Sequence, residues 1–162
     1  MSVSTRWYNA EQLRRISELT IANYDRSAEA YWDGTRDHDV NQNYAALLDA
    51  IEGDLPYSIL DLGCGPGRDL RYFRSVGHDV VGLDGSTEFV AMARSYSQCE
   101  VLRQDFLAMK LPKSRFVASL RTHRCSTCRA RSCQGFWRNS RQPCGPAVFF
   151  FFPIRLEQVG LR

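Results

Sequence analysis

Residues 58–76 constrain this chain more than any other stretch. An apolar run from Ser58 to Leu62 is long enough for one strand buried in a parallel sheet. Glycines then alternate at Gly63, Gly65 and Gly67, and Leu70 and Phe73 follow at helical spacing among charged residues. Strand, glycine turn and helix in that order make the first half of a βαβ nucleotide-binding unit. Glycine lets the backbone bend tightly and touch a ligand that any Cβ would push away. The spacing is GxGxG, and Arg68 follows it. A dinucleotide-binding turn needs GxGxxG and a phosphate-binding loop ends in Gly-Lys-Ser/Thr, so neither pattern is met.

Downstream, Val80, Val81 and Leu83 form a second strand that ends in Asp84, followed by Gly85. Nucleotide-binding sheets place an acid at this tip, where its two oxygens can accept both hydroxyls of a ribose. Ser86 to Ser95 reads as a helix with Phe89, Val90 and Ala93 inward, and Glu100 to Leu102 reads as a third strand leading into Gln104-Asp105-Phe106.

With Asp61-Leu-Gly-Cys-Gly-Pro-Gly67 in hand, the chain resembles the class I S-adenosylmethionine-dependent methyltransferases, whose first motif is an acidic residue followed by GxGxG. Their ligand has a ribose and an adenine but no phosphate, which suits a turn lacking a phosphate-gripping lysine. The resemblance implies an α/β, Rossmann-like sheet and S-adenosyl-L-methionine as cofactor. It also implies roles. Asp61 helps hold the ammonium of the methionine end; Gly63, Gly65 and Gly67 leave room for methionine and ribose; Asp84 and Gly85 meet the ribose. Asp105 accepts from the adenine amino group, and Phe106 lies against the ring. Cys64 is a small filler within the turn, with no basic neighbour in sequence to make it a nucleophile.

Before the turn, residues 10–24 read as an amphipathic helix with Leu13, Ile16 and Leu19 on one stripe, Asn9 as N-cap and Gln12 three residues on. Tyr24, Tyr31 and Trp32 follow. They read as a lid packed on the core. The resemblance implies a lid over cofactor and substrate, with Tyr31 as the contact. Val40, Tyr44, Leu47, Leu48 and Ile51 predict a helix packed on the sheet, with Gly53 as its C-cap and Pro56 blocking continuation. His78 falls in the turn after the glycine-motif helix and reads as a solvated loop histidine. The expected organisation is a methyltransferase N-terminal part over 1–116, with a helical lid at 1–53 and a cofactor-binding βαβ unit at 57–106.

Composition changes abruptly at residue 117. Residues 1–116 carry 13 basic against 17 acidic side chains, whereas residues 117–162 carry 8 arginines, no lysine and a single acid, Glu157. Four of the six cysteines also fall there, at 125, 128, 133 and 144. A zinc module built on His123 and these cysteines is disfavoured, because Cys125-x-x-Cys128 has no second ligand pair. A frameshift fits better. Reading the degenerate codons of Thr122-His-Arg-Cys-Ser-Thr-Cys-Arg129 one frame over permits Asn-Ala-Ser-Leu-Phe-His-Val-Pro. The same frame continues through an amphipathic helix and into Leu-Arg-Pro-Gly-Gly-Val-Leu, a turn entering a strand. Loop, helix and turn are what the methyltransferase family has next. Residues 117–162 are therefore expected to be an out-of-frame tail with little regular structure. The sheet before it would be an incomplete one of three strands, with an exposed edge.

The leading expectation is methyl transfer from S-adenosyl-L-methionine to a small-molecule acceptor, with this truncated chain weakly active or inactive. No catalytic residue and no metal ligand is assigned, because the expected site histidine lies in the shifted frame. The alternative is a noncatalytic module binding adenosyl ligands; an NAD-dependent oxidoreductase and a zinc-binding protein rank below it. An acidic 1–116 without a basic stripe speaks against nucleic acid as partner. The opening Met1-Ser-Val-Ser-Thr-Arg6 lacks an apolar leader, and Val148–Phe152 is too short to span a bilayer, so a cytoplasmic location without membrane association is expected.

Overall fold

The computed structural model describes residues 8–51, 53–111, 116, 118–121 and 148–150. Helices α1 (Ala10–Arg26), α2 (Ala28–Thr35) and α3 (Asn41–Ala50) lead. Strands and helices then alternate: β1 (Ser58–Leu62), α4 (Arg68–Ser75), β2 (Asp79–Asp84), α5 (Thr87–Ser97) and β3 (Glu100–Arg103). A 3-10 turn at Phe106–Ala108 precedes β4 (Ala118–Arg121) and β5 (Val148–Phe150). One sheet holds all five strands in the order β3-β2-β1-β4-β5. β1 to β4 are parallel, and β5 runs antiparallel to β4. The strand order reverses between β1 and β4, and such sheets bind ligands beyond the carboxyl ends of their strands at that reversal.

Alternation along the strands divides the core in two. Ile59, Val80, Val101 and Ala118 face one side and are covered by Tyr44 and Leu47 of α3, Leu70 and Phe73 of α4, and Val90 and Ala93 of α5. Leu60, Leu62, Val81 and Leu83 face the other side, where Phe116, Phe106, Met109 and Leu111 pack among the described residues. Each fully buried leucine or isoleucine contributes roughly 1.5–3 kcal/mol, so this two-faced strand set dominates the stability of the unit.

Several local expectations change. Leu19 is 61% exposed, whereas Ser17 is buried at 6%. The inward face of α1 keeps Leu13 and Ile16 and adds Ser17, Thr20, Ile21 and Tyr24, with Ser17 bonded to the half-buried Asp105, a partner that sequence periodicity does not reveal. The C-cap of α3 is Ile51, in extended conformation, and Gly53 turns beyond it at φ 123°. His78 is no solvated loop residue. Its ring stacks on Tyr57 at 5.1 Å and its Nδ1 accepts from the Tyr57 amide at 3.3 Å, tying the start of β1 to the end of α4. Burial lowers its pKa.

The three-strand sheet with a bare edge gives way as well. Ala118–Arg121 lies parallel beside β1, with Ile59 opposite Ala118, and Ala118 is fully buried. A ladder is made by backbone groups, so a four-residue strand next to a ready edge needs no periodicity of its own. The cysteines at 125, 128, 133 and 144, His123, and most of the expected out-of-frame tail lie outside the described residues.

Candidate functional site

The turn after β1 closes against the tip of β2. The amides of Gly63 and Cys64 both donate to the Leu83 carbonyl, at 2.7 and 3.2 Å. Gly65 donates to Asp84 Oδ2 at 3.0 Å. The other oxygen, Asp84 Oδ1, accepts from the Ser86 amide at 2.9 Å. The carboxylate is therefore fixed in place at the mouth of the turn. Burial pushes the Asp84 pKa up against the pull of the Ser86, Gly65 and Gly85 amides.

The three glycines do different jobs. Gly67 has φ 92°, and a Cβ there would stand 2.8 Å from the Ala93 Cα. It is the point of closest packing between the turn and α5, so its room is taken by protein and not left for a ligand. Gly63 and Gly65 face other groups: a Cβ on the first would stand 3.6 Å from Phe106 Cζ, and one on the second 3.8 Å from the Tyr31 ring. Tyr31 and Phe106, far apart in sequence, thus flank the same bend. Cys64 is buried and lies against Gly82, where a Cβ would come 2.8 Å from its Sγ. Burial raises its thiol pKa, which keeps it a neutral filler.

Asp61 is the unusual residue. It is fully buried in the middle of the sheet, and both carboxylate oxygens lack a hydrogen-bond partner among the described residues. Burial raises its pKa well above the ordinary value; the Asp69 and Asp84 carboxylates add to this and Arg68 opposes it. A buried polar group without a partner is expensive, and a buried charge more so. Asp69, by contrast, is satisfied: Tyr44 Oη donates to its Oδ1 at 2.7 Å and Arg68 Nε at 2.8 Å. Arg68 also donates to the Thr35 carbonyl at 3.0 Å, joining the end of α2 to the start of α4.

On β3's side, Asp105 caps the 3-10 turn through the Leu107 amide at 2.8 Å, while its Oδ2 accepts from Ser17 Oγ of α1 at 2.8 Å. Ile21 stands over Gly85, where a Cβ would meet its Cδ1 at 2.9 Å. Asp25 accepts from Ser86 Oγ at 2.6 Å and from the Glu88 amide at 3.2 Å, at the N-terminus of α5. Although some burial pushes its pKa up, the Ser86 hydroxyl and the Glu88 and Thr87 amides hold Asp25 below the usual range. Tyr31 closes the row, packed on Phe89 at 5.1 Å and Tyr24 at 6.0 Å. Burial, with Tyr24 beside it, raises its phenol to about 12.

Asp61, Gly63, Gly65, Asp84, Gly85, Phe106 and Tyr31 thus cluster around one bend, and Asp105 sits at its β3 side. Sequence reasoning missed Ser17, Asp25, Tyr44, Arg68 and Asp69. The signal for the first two was a polar residue at positions 17 and 25, four residues either side of Ile21 on one helix face. A separate open hollow of about 560 Å³ lies between Trp32, Pro66, Arg71, Met92 and Tyr96; none of the site carboxylates lines it.

Comparison with known proteins bears on what such a bend holds. The methyltransferase domain family matches residues 59–142. Malonyl-acyl-carrier-protein O-methyltransferase of Pseudescherichia vulneris is 34% identical over 97 residues, covering 59% of this chain and 38% of that protein. A probable S-adenosyl-L-methionine-dependent methyltransferase, TehB of Haemophilus influenzae, is 26% identical over 96 residues, covering 59% of this chain and 32% of that protein. The chain therefore spans about a third of the length of these curated relatives. Among solved structures, the complex of DhpI with S-adenosylhomocysteine (SAH) aligns with a TM-score of 0.53 at 24% identity, over 67% of this chain and 53% of that one. Magnesium protoporphyrin IX methyltransferase of Synechocystis aligns with a TM-score of 0.53 at 19% identity, over 65% and 57%. At these identities the structural likeness speaks to the fold.

Proposed function

The chain belongs to the S-adenosylmethionine-dependent methyltransferase family, and from that premise we propose that its bend holds S-adenosyl-L-methionine for methyl transfer to a small-molecule acceptor. The observation that carries the reading is Asp61: a buried carboxylate under a glycine turn whose two oxygens have no partner among the described residues calls for a donor beyond them. A ligand ammonium is such a donor, so the residues present fit the group. Asp84, held by backbone amides that include those of Gly65 and Ser86, offers its remaining acceptor capacity to a vicinal diol. Asp105 and Phe106 offer an acceptor and a ring face to adenine, and Tyr31 covers the turn from the lid.

When bound, the cofactor supplies a methyl group already activated on a sulfonium. The chain's own work is then to fix that ligand at its three polar ends and exclude water, leaving in-line approach of the acceptor as the step to be positioned. No residue is assigned as a general base.

Residues 117–162 bear on how far the reaction proceeds. We infer that they arise from loss of one base near codon 117, in line with the charge and cysteine break there. The family match runs on to residue 142, past that break. An intact gene without a frame change at codon 117 in close relatives would end this inference. It favours a second reading, in which the cofactor half-site binds adenosyl ligands without turnover. Calorimetric titration with SAH, run beside a methyl-transfer assay, separates the outcomes. Binding with transfer supports the enzyme, binding alone supports the half-site, and no binding sinks both.

A further inference from the structure

We propose that Ser17 is a positioning residue for adenine recognition: its hydroxyl orients the Asp105 carboxylate, so that the lid helix α1 sets the site's preference for an amino group. This deepens the adenosyl reading given above and rests on it.

Ser17, Ile21 and Asp25 stand four residues apart on α1 and therefore share one face. That face lies across the tips of β2 and β3. Ser17 donates to Asp105 Oδ2, Ile21 stands over Gly85, and Asp25 accepts from Ser86 and Glu88. Ser17 is buried at 6% and its Asp105 contact links residues 88 apart in sequence. A serine in a helix interior usually bonds its own preceding turn or faces water. Ser17 does neither, and it spends a buried hydroxyl on the one carboxylate expected to read adenine.

The geometry fixes what this does. Asp105 Oδ1 is taken by the Leu107 amide and Oδ2 by Ser17, so the carboxylate is held about its χ2 from both ends. An ionised carboxylate has about four lone-pair sites, and two remain for a ligand donor. Without Ser17 the Leu107 amide alone among the described residues holds the group, and it is free to swing about that single bond. Both oxygens are acceptors, so a ligand offering an amino group is favoured and one offering a carbonyl is repelled. That discrimination depends on the carboxylate being held in place. Asp25 anchors the same helix without touching Asp105, which makes it the natural comparison.

The test uses the full 162-residue chain and two ligands, SAH and S-inosylhomocysteine, in which a carbonyl replaces the amino group of adenine. Titration calorimetry reads the affinity ratio. The unsubstituted chain should prefer the adenosyl ligand by about tenfold or more. Ser17→Ala and Ser17→Val should bring the ratio to within about threefold, whereas Ser17→Thr, which keeps the hydroxyl, should retain it. Val and Thr have nearly the same shape, so that pair reads the hydroxyl even if the Ala variant does not fold. Asp25→Asn should weaken both ligands alike and leave the ratio unchanged. In an Asp105→Asn background, Ser17→Val should add no further change. A preserved ratio in Ser17→Val overturns the proposal while leaving the adenosyl reading intact. Equal binding of both ligands by the unsubstituted chain overturns it as well. Binding of neither removes the adenosyl reading and the proposal together.

Discussion

At the scale of single residues, the site stores cost where its ligand will act. Asp61 and Asp84 are both raised by burial, so the folded chain holds protons that the unfolded chain releases in the ordinary carboxylate range. Above that range the folded state binds more protons than the unfolded one, and stability falls as pH rises toward the raised values. The melting temperature of the free chain should therefore fall as pH rises above the ordinary carboxylate range, and Asp61→Asn should flatten that slope and raise the melting point at the upper end. The same substitution should weaken SAH by about 2–5 kcal/mol, since it leaves a ligand ammonium without its counter-charge. Scanning calorimetry across pH, with titration at the upper end, checks both; an unchanged slope would detach Asp61 from the cost assigned to it. Gly67 and Gly65 should part company in the same spirit. Gly67→Ala combines a left-handed backbone with a 2.8 Å clash against the Ala93 main chain, and should cost about 2–4 kcal/mol of folding stability. Gly65→Ala meets only the Tyr31 ring at ordinary contact distance, and should cost about 1–2 kcal/mol. Urea melts of the two variants decide between them.

At the scale of elements, α1 is held at one end by its own sequence and along one face by distant partners. Asn9 and Gln12 form the reciprocal capping box the sequence implies, at 2.8 and 2.9 Å. Asn9→Ala should cost about 1 kcal/mol and show itself as faster amide exchange in the first turn of α1, with little effect in α4 or α5. Uniform loss of protection across all three helices would mean that the lid and the sheet unfold as one unit. The capping box was legible because it is local, three residues apart. The rotation of α1 about its axis was not. Leu13 and Ile16 of the expected apolar stripe do face inward, but the contacts of Ser17, Ile21 and Asp25 with the strand tips accompany a rotation in which Leu19 faces outward. Likewise α4 and α5 were legible as helices, but the contact of Gly67 with Ala93 that sets their spacing was not.

At the scale of the whole molecule, a five-stranded sheet carries one well-covered face and one face that relies, among the described residues, on Phe106, Met109, Leu111 and Phe116. Under the frame change inferred above, replacing residues 117–162 by the other frame's reading should supply a helix and strands to the sheet and raise the melting temperature. It should also raise the rate of methyl transfer. Side-by-side calorimetry and transfer assays check this, and vigorous turnover by the present 162-residue chain would contradict it. The succession of the first three strands along the chain and their motifs was readable in sequence because each is a local pattern repeated at the right interval. The fourth strand was not, because β4 is recruited by the open edge of β1 and not by any alternation in Ala118–Arg121.

The sequence alone determined the βαβ unit, the glycine bend, the acids at the strand tips and the family they resemble, because spacing along the chain is what those features consist of. Tertiary structure decided which glycine packs a helix and which lines the bend. It also left Asp61 buried without a partner among the described residues and brought Ser17 to Asp105 across 88 residues. Those outcomes depend on which surfaces meet when the sheet closes, and no local pattern encodes a meeting between segments that far apart.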